Sequence, residues 1–205
     1  MLQQPIAGQG FEHITRYFDA GNHRFAAKLL PGQYYLSRDE TIVAVLGSGV
    51  AVCIRDRVQG PGGMTHVLEP VTAAGAGSSL ALPALRTLLE ALLAAGAQRG
   101  ELEAKLFGGS CPHGETGASG ARSVAVARAF LREAAIPIVA EDVGGGYPRK
   151  IDYCPADGRV RIKRLRDLRN ATIAERDQSF LEQSADGPNR SPTLQREAAR
   201  TAAAG

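Results

Sequence analysis

His66 is the residue whose type and surroundings best suit it to chemistry. It closes the stretch "GGMTH", behind a glycine-rich loop and at the entry to an apolar run. An imidazole held there can serve as general base and general acid near neutral pH. A hydrogen-bonded structural histidine is the competing interpretation. A base of this kind needs a nucleophile, and "LGSGVAVCIRD" at residues 46–56 offers two side chains. Ser48 stands between two glycines, but "LGSGV" is not the five-residue Gly-x-Ser-x-Gly elbow, and turn chemistry alone accounts for it. Cys53 lies inside "VAVCIR", where a thiol is expected to behave as a small buried hydrophobe. Gly49 offers no side chain.

Other polar groups give weaker signals. Cys111 and His113 share the glycine-rich "FGGSCPHGETGASG", yet two donors do not make a metal site. Glu141 and Asp142 end an apolar run before three glycines, a common place for groups that line a site. Those glycines lack the G-x-G-x-x-G spacing and open no helix, so they do not form a phosphate cradle. Cys53, Cys111 and Cys154 are too widely and irregularly spaced for a disulfide framework or a zinc pattern.

The elements that must hold these residues follow from periodicity. "FAAKLLPGQYYLS" is a strand broken by a Pro-Gly turn. "TIVAVLG", "VAVCIRD" and "MTHVLEP" are apolar runs of strand length, read as three consecutive strands of one meander. "LPALRTLLEALLAAGAQ" places Leu85, Leu88, Leu89, Leu92 and Leu93 on one helical face, with Gly96 as its stop. "ELEAKLFGG" alternates as a strand with Leu102, Ala104 and Leu106 on one side. "GARSVAVARAFLREAA" is a second amphipathic helix. "IPIVAEDV", "RKIDYCP" and "GRVRIKRL" are further strands. Residues 1–25 form an N-terminal arm and 26–166 the folded domain, mixed α/β with hairpin-connected strands. Residues 167–205 have little apolar bulk and are expected to be a disordered tail. Basic residues crowd Arg159 to Arg176 against only Asp167 and Glu175, either a solvated face or a docking patch for an acidic partner.

Bulk properties narrow the classes. The chain has 205 residues, 44% hydrophobic, enough to bury a core. A net charge of +3 is too small to point to nucleic acid. No apolar run is long enough to span a bilayer and no secretory signal is evident, so a cytoplasmic protein with free thiols is expected.

Five stretches, "LPGQYYLS", "VLGSGVAVCIRDRV", "GGMTHVLEP", "LEAKLFGG" and "IPIVAEDVGGGYPRKI", occur in an order and spacing that closely resembles the CheD family of chemoreceptor glutamine deamidases. The resemblance spans roughly residues 28–165. It implies an α/β sandwich, a mixed and largely hairpin-connected sheet flanked by two or three helices. The implied activity is hydrolysis of glutamine side chains on methyl-accepting chemotaxis receptors to glutamate and ammonia. It also implies a cysteine–histidine thioester mechanism without metal or organic cofactor. Some members bind a CheC-type phosphatase. The family pattern reads Leu-Gly-Ser-Cys where this chain has Leu46, Gly47, Ser48 and Gly49, so Gly49 holds the position of the nucleophile and His66 that of the base. The family's accompanying threonine maps to Val43 or Ala44, with Thr41 the nearest hydroxyl. Little or no turnover is expected of such a site. Ser48 is adjacent as a substitute, Cys53 lies about 13 Å along an extended strand, and Cys111 depends on its loop. A receptor- or phosphatase-binding adaptor is the alternative function.

Overall fold

The computed structural model describes residues 10–58, 60–70, 79–111, 117–166 and 171–185. Along the chain these form β1 (Thr15–Asp19), β2 (Arg24–Leu29), β3 (Tyr34–Ser37), β4 (Thr41–Leu46), β5 (Val50–Asp56) and β6 (Gly62–Val67). Then come α1 (Ala81–Ala94), β7 (Leu102–Gly108), α2 (Gly117–Glu133), β8 (Ile138–Val143), β9 (Arg149–Tyr153), β10 (Val160–Arg164) and α3 (Ala171–Ala185). The strands make two five-stranded sheets, ordered β1-β2-β4-β9-β10 and β3-β6-β5-β7-β8. Hairpins join β1 to β2, β5 to β6 and β9 to β10, whereas β2–β4 and β7–β8 pair in parallel. The expected α+β sandwich is what forms.

The single meander does not. β4 lies in the first sheet and β5 with β6 in the second, so the Gly-Ser-Gly turn carries the chain between layers. The physical reason is visible in β5, which is buried on both faces. Val50, Val52 and Ile54 pack with Leu85, Leu88 and Leu92 of α1 and Leu131 of α2. Ala51 and Cys53 pack with Ile42, Ala44 and Leu46 of β4 and Ile151 of β9. The order of layers is therefore helices, second sheet, first sheet. Each fully buried Leu, Ile or Val in these two cores stabilises the fold by roughly 1.5–3 kcal/mol.

The helix faces expected from sequence are those buried. Leu85, Leu88, Leu89 and Leu92 are buried, with Leu93 packed at the margin. Gly96 ends α1 with φ 95°, and the Gly96 and Ala97 amides donate to Leu93 and Leu92 oxygens at 3.0 Å each, a Schellman closure. α2 ends the same way, with the amides of Ala135 and Ile136 donating to Arg132 and Leu131 oxygens at 3.1 and 2.9 Å. There the left-handed position, φ 56°, is an alanine.

The ends of the chain hold more regular structure than the sequence suggested. The expected arm includes β1, which forms an edge of the first sheet and pairs with β2 from Thr15 to Asp19. The expected tail includes α3, while 186–205 lie outside the described residues.

Candidate functional site

The site is built around the turn Gly47-Ser48-Gly49 where the chain changes sheets. Its carbonyls are tied to the continuation of β7. The Gly47 oxygen accepts from the Ser110 amide at 2.9 Å and from Ser110 Oγ at 2.8 Å, and the Gly49 oxygen accepts from the Gly109 amide at 2.8 Å. Gly108 allows this approach. It has φ 112°, and a Cβ there would lie 2.3 Å from the Gly49 oxygen, a place only glycine can occupy.

Arg149, 4% exposed, braces the same segment from below. Its Nη2 donates to the Gly144 oxygen at 2.6 Å and Asp142 Oδ1 at 2.9 Å, and Nη1 reaches the Gly108 oxygen at 3.4 Å. This charge is buried but paired and hydrogen-bonded, as burial demands.

His66 enters from β6. Its backbone is fixed on both sides. The amide donates to the Gln33 oxygen at 3.0 Å and its oxygen accepts from Gly32 at 2.8 Å, while Ala51 of β5 lies opposite. The Pro-Gly turn thus clamps the strand that carries the imidazole. The side chain is completely buried, and neither ring nitrogen has a partner at normal hydrogen-bond geometry. A Cβ built on Gly49 would sit 2.5 Å from His66 Nε2, 3.0 Å from Cδ2 and 3.1 Å from the Val67 oxygen. The imidazole is therefore aimed at position 49. Burial first, and the Arg176 guanidinium second, pull its pKa from 6.5 down to about 3, against an opposing pull from the Leu29 carbonyl. It is neutral at pH 7, the state a general base requires.

α3 lies over the turn. The Ser48 amide and Oγ both donate to Asp177 Oδ2 at 3.2 Å, and Arg176 Nη1 donates to the Val45 oxygen at 2.9 Å. A Cβ on Gly47 would lie 2.7 Å from Asp177 Oδ2 and 2.8 Å from Ile173 Cγ2. The helix rests directly on the glycine backbone.

An imidazole pointed at the residue after a Leu-Gly-Ser turn is the arrangement to compare with known proteins. The family described as CheD chemotactic sensory transduction matches residues 73–164. A probable chemoreceptor glutamine deamidase CheD of Halorhodospira halophila is 40% identical over 190 residues, covering 87% of this chain and 88% of that one. The protein of the same name in Herminiimonas arsenicoxydans is 43% identical over 180 residues, covering 82% and 89%. That in Saccharophagus degradans is 36% identical over 197 residues, covering 88% of each. The chain belongs to the CheD family.

Within this CheD scaffold the structure brings together Gly49, His66 and Ser48 and leaves the other candidates elsewhere. Ser48 Oγ is engaged by Asp177 rather than by His66. Cys53 is sealed between the sheets, where burial pushes its thiol far up, out of the nucleophile range. Cys111 is half-buried, and its amide donates to the Gly145 oxygen at 2.8 Å, which anchors it to the glycine loop after β8. His113 lies outside the described residues. Val43 and Ala44 supply only apolar side chains. Thr41 is at the far end of β4, lining a surface groove with Asn22, Arg24 and Asp152. Glu141 pairs with Arg128, and Asp142 with Arg149 and Arg164, so both serve ion pairs.

Three residues of this CheD site escaped the sequence reading: Arg149, Arg176 and Asp177. Arg149 sits in the conspicuous "GGGYPRK", but nothing in that stretch marks which basic residue is buried. Among the described residues, no three His, Cys, Asp or Glu side chains converge as a metal site would require. No described helix is long and apolar enough to cross a membrane.

Proposed function

We propose that this chain engages the helical cytoplasmic part of chemotaxis receptors. Its scaffold is built for hydrolysis of glutamine side chains there, with position 49 as the seat of the nucleophile and His66 as base and acid. The observation that carries this reading is the nearness of His66 Nε2 to position 49, 2.5 Å from where a Cβ there would lie. The names of the relatives, chemoreceptor glutamine deamidases, supply the substrate class.

A thiol at position 49 would pass its proton to the neutral imidazole and attack the carboxamide carbon. The C–N bond breaks as His66 returns the proton to the departing ammonia. Water, deprotonated by the same imidazole, then cleaves the thioester to leave glutamate and the free thiol. Amide N–H groups of the turn, among them that of Ser48 once Asp177 has released it, would hold the developing oxyanion. Gly49 brings no Sγ, so in this chain the first step has no attacking atom and turnover is little or none.

That missing atom favours a second reading, a binding protein for receptors or for a CheC-type phosphatase that keeps the scaffold without the reaction. The two readings separate on receptor cytoplasmic fragments, measured by ammonia release and the glutamine-to-glutamate mass shift. The unmodified chain is expected to bind without turnover, and Gly49→Cys to release ammonia. Turnover by the unmodified chain would overturn the assignment of position 49. No binding by either chain would overturn the receptor reading.

A further inference from the structure

α3 meets the rest of the molecule by a narrow stripe. Asp177 is buried, Ile173, Arg176, Phe180, Leu181 and Ser184 are half-buried, and Thr172, Ala174, Glu175, Gln178, Ser179, Glu182 and Gln183 are exposed. The spacing 173, 177, 180, 184 is one face of a helix. Two polar groups of that face hold the segment that leads into the turn: Arg176 donates to the Val45 oxygen at the end of β4, and Asp177 accepts from both donors of Ser48. Asp177 is additionally paired with Arg176.

The position of the Asp177 carboxylate is informative. A carboxylate is the acyl product of amide hydrolysis, and its oxygen accepts the same N–H bonds as a carboxamide oxygen. Here one such oxygen accepts from the Ser48 amide, one residue before position 49. The carrier is a helix, and the glycine at position 47 lets that helix touch the backbone of the turn.

We infer that α3 is an internal ligand of the catalytic turn: it occupies the surface on which a partner helix bearing a carboxamide or carboxylate side chain docks, with Asp177 standing in for that side chain, and it must leave before the partner can bind. This rests on the receptor reading for the identity of the partner, but not for the docking of α3 itself. The charge of Arg176 on α3 also reaches the imidazole, where after burial it is the second cause of the lowered pKa. Two hydrogen bonds tie the helix to Ser48 and one ties it to Val45 of β4, and only Asp177 of its described side chains is buried, so exchange with a partner is feasible.

The experiment uses the full chain, with Asp177→Lys and, as a variant that removes a bond without reversing charge, Arg176→Ala. Hydrogen–deuterium exchange reads α3 and the Ser48 amide, and NMR titration reads the His66 ring. In both variants the amides of 171–185 and of Ser48 are expected to exchange faster while β5 and α1 stay protected. The His66 pKa should rise toward 6.5. Identical exchange in the unmodified chain and both variants would overturn the proposal.

A receptor cytoplasmic fragment is then added. It should bind the variants at least about tenfold more tightly than the unmodified chain, because a binding-competent state that is rarely populated weakens apparent affinity by its fraction. On the unmodified chain, the fragment should speed exchange in 171–185 and slow it at the turn. Equal affinity for all three chains, with α3 still protected in the complex, would also overturn the proposal. If α3 opens in the variants but no chain binds the fragment, the receptor reading fails and the internal docking of α3 stands.

Discussion

His66 Nε2 lies 2.5 Å from where a Cβ on Gly49 would be, so the imidazole already fills part of the space that any side chain at position 49 would claim. Real contacts of this kind begin near 3.0 Å, so the ring must retreat by about half an ångström in a densely packed layer. Gly49→Ala is expected to destabilise the fold by about 1–2 kcal/mol through overpacking. His66→Ala opens a cavity in the same place. The double variant should be more stable than the sum of the two single effects predicts, by about 1 kcal/mol or more. Denaturant titration of the four chains measures this coupling, and strict additivity would mean that the two positions do not share that space.

The same burial makes stability depend on pH. His66 titrates near 6.5 when unfolded and at about 3 when folded, so between those values the unfolded chain binds the extra proton. Stability from this group is full above pH 6.5 and falls as pH is lowered toward 3, by at most about 1.4 kcal/mol per unit. The depressed carboxyls of Asp142 and Asp157 lose their contributions lower in the range, below about pH 4. Unfolding free energies from pH 7 to 4.5 therefore isolate the imidazole. His66→Gln is expected to flatten that slope, and an unchanged slope would assign it to other groups.

Ala135 gives a prediction independent of the site. It closes α2 in the left-handed region at φ 56° and is exposed. A Cβ there costs about 1–2 kcal/mol, partly offset by the greater freedom glycine gives the unfolded chain. Ala135→Gly is expected to stabilise the fold by about 0.5–1 kcal/mol, seen as a higher Tm with receptor binding unaltered. A loss of stability would show that the strain is already relieved locally.

Much of the scaffold was legible because its signals are local. The leucine spacing of α1, the alternation of β7 and the Pro-Gly turn before β3 each mark one element and one buried face. β5 was legible as a strand but not as a member of a particular sheet. "VAVCI" is apolar on both faces, and a pattern with no polar side carries no information about which neighbour takes which face. That is why the turn at Gly47–Gly49 read as a hairpin and not as a passage between layers. His66 stood out by its type and its place after a glycine-rich loop, whereas Gly49 emerged only through the family's motifs, since a glycine announces no role alone. Asp177 and Arg176 could not emerge, because a bond from residue 48 to residue 177 leaves no trace in spacing.

The passage between layers has a mechanical consequence. β4 is stitched into the first sheet and β5 into the second, and the three residues joining them are the span across a seam. The chain also crosses between the layers at β2–β3, β3–β4 and β8–β9, but at this crossing any shear of one layer against the other is felt at Gly49, beside His66. Substitutions at Ile151 or Tyr153, which pair with Ala44 and Ile42 of β4, would shift the near anchor of that span. The turn is in effect a gauge of how the two sheets are seated, and the strand beside β4 can tune its reading.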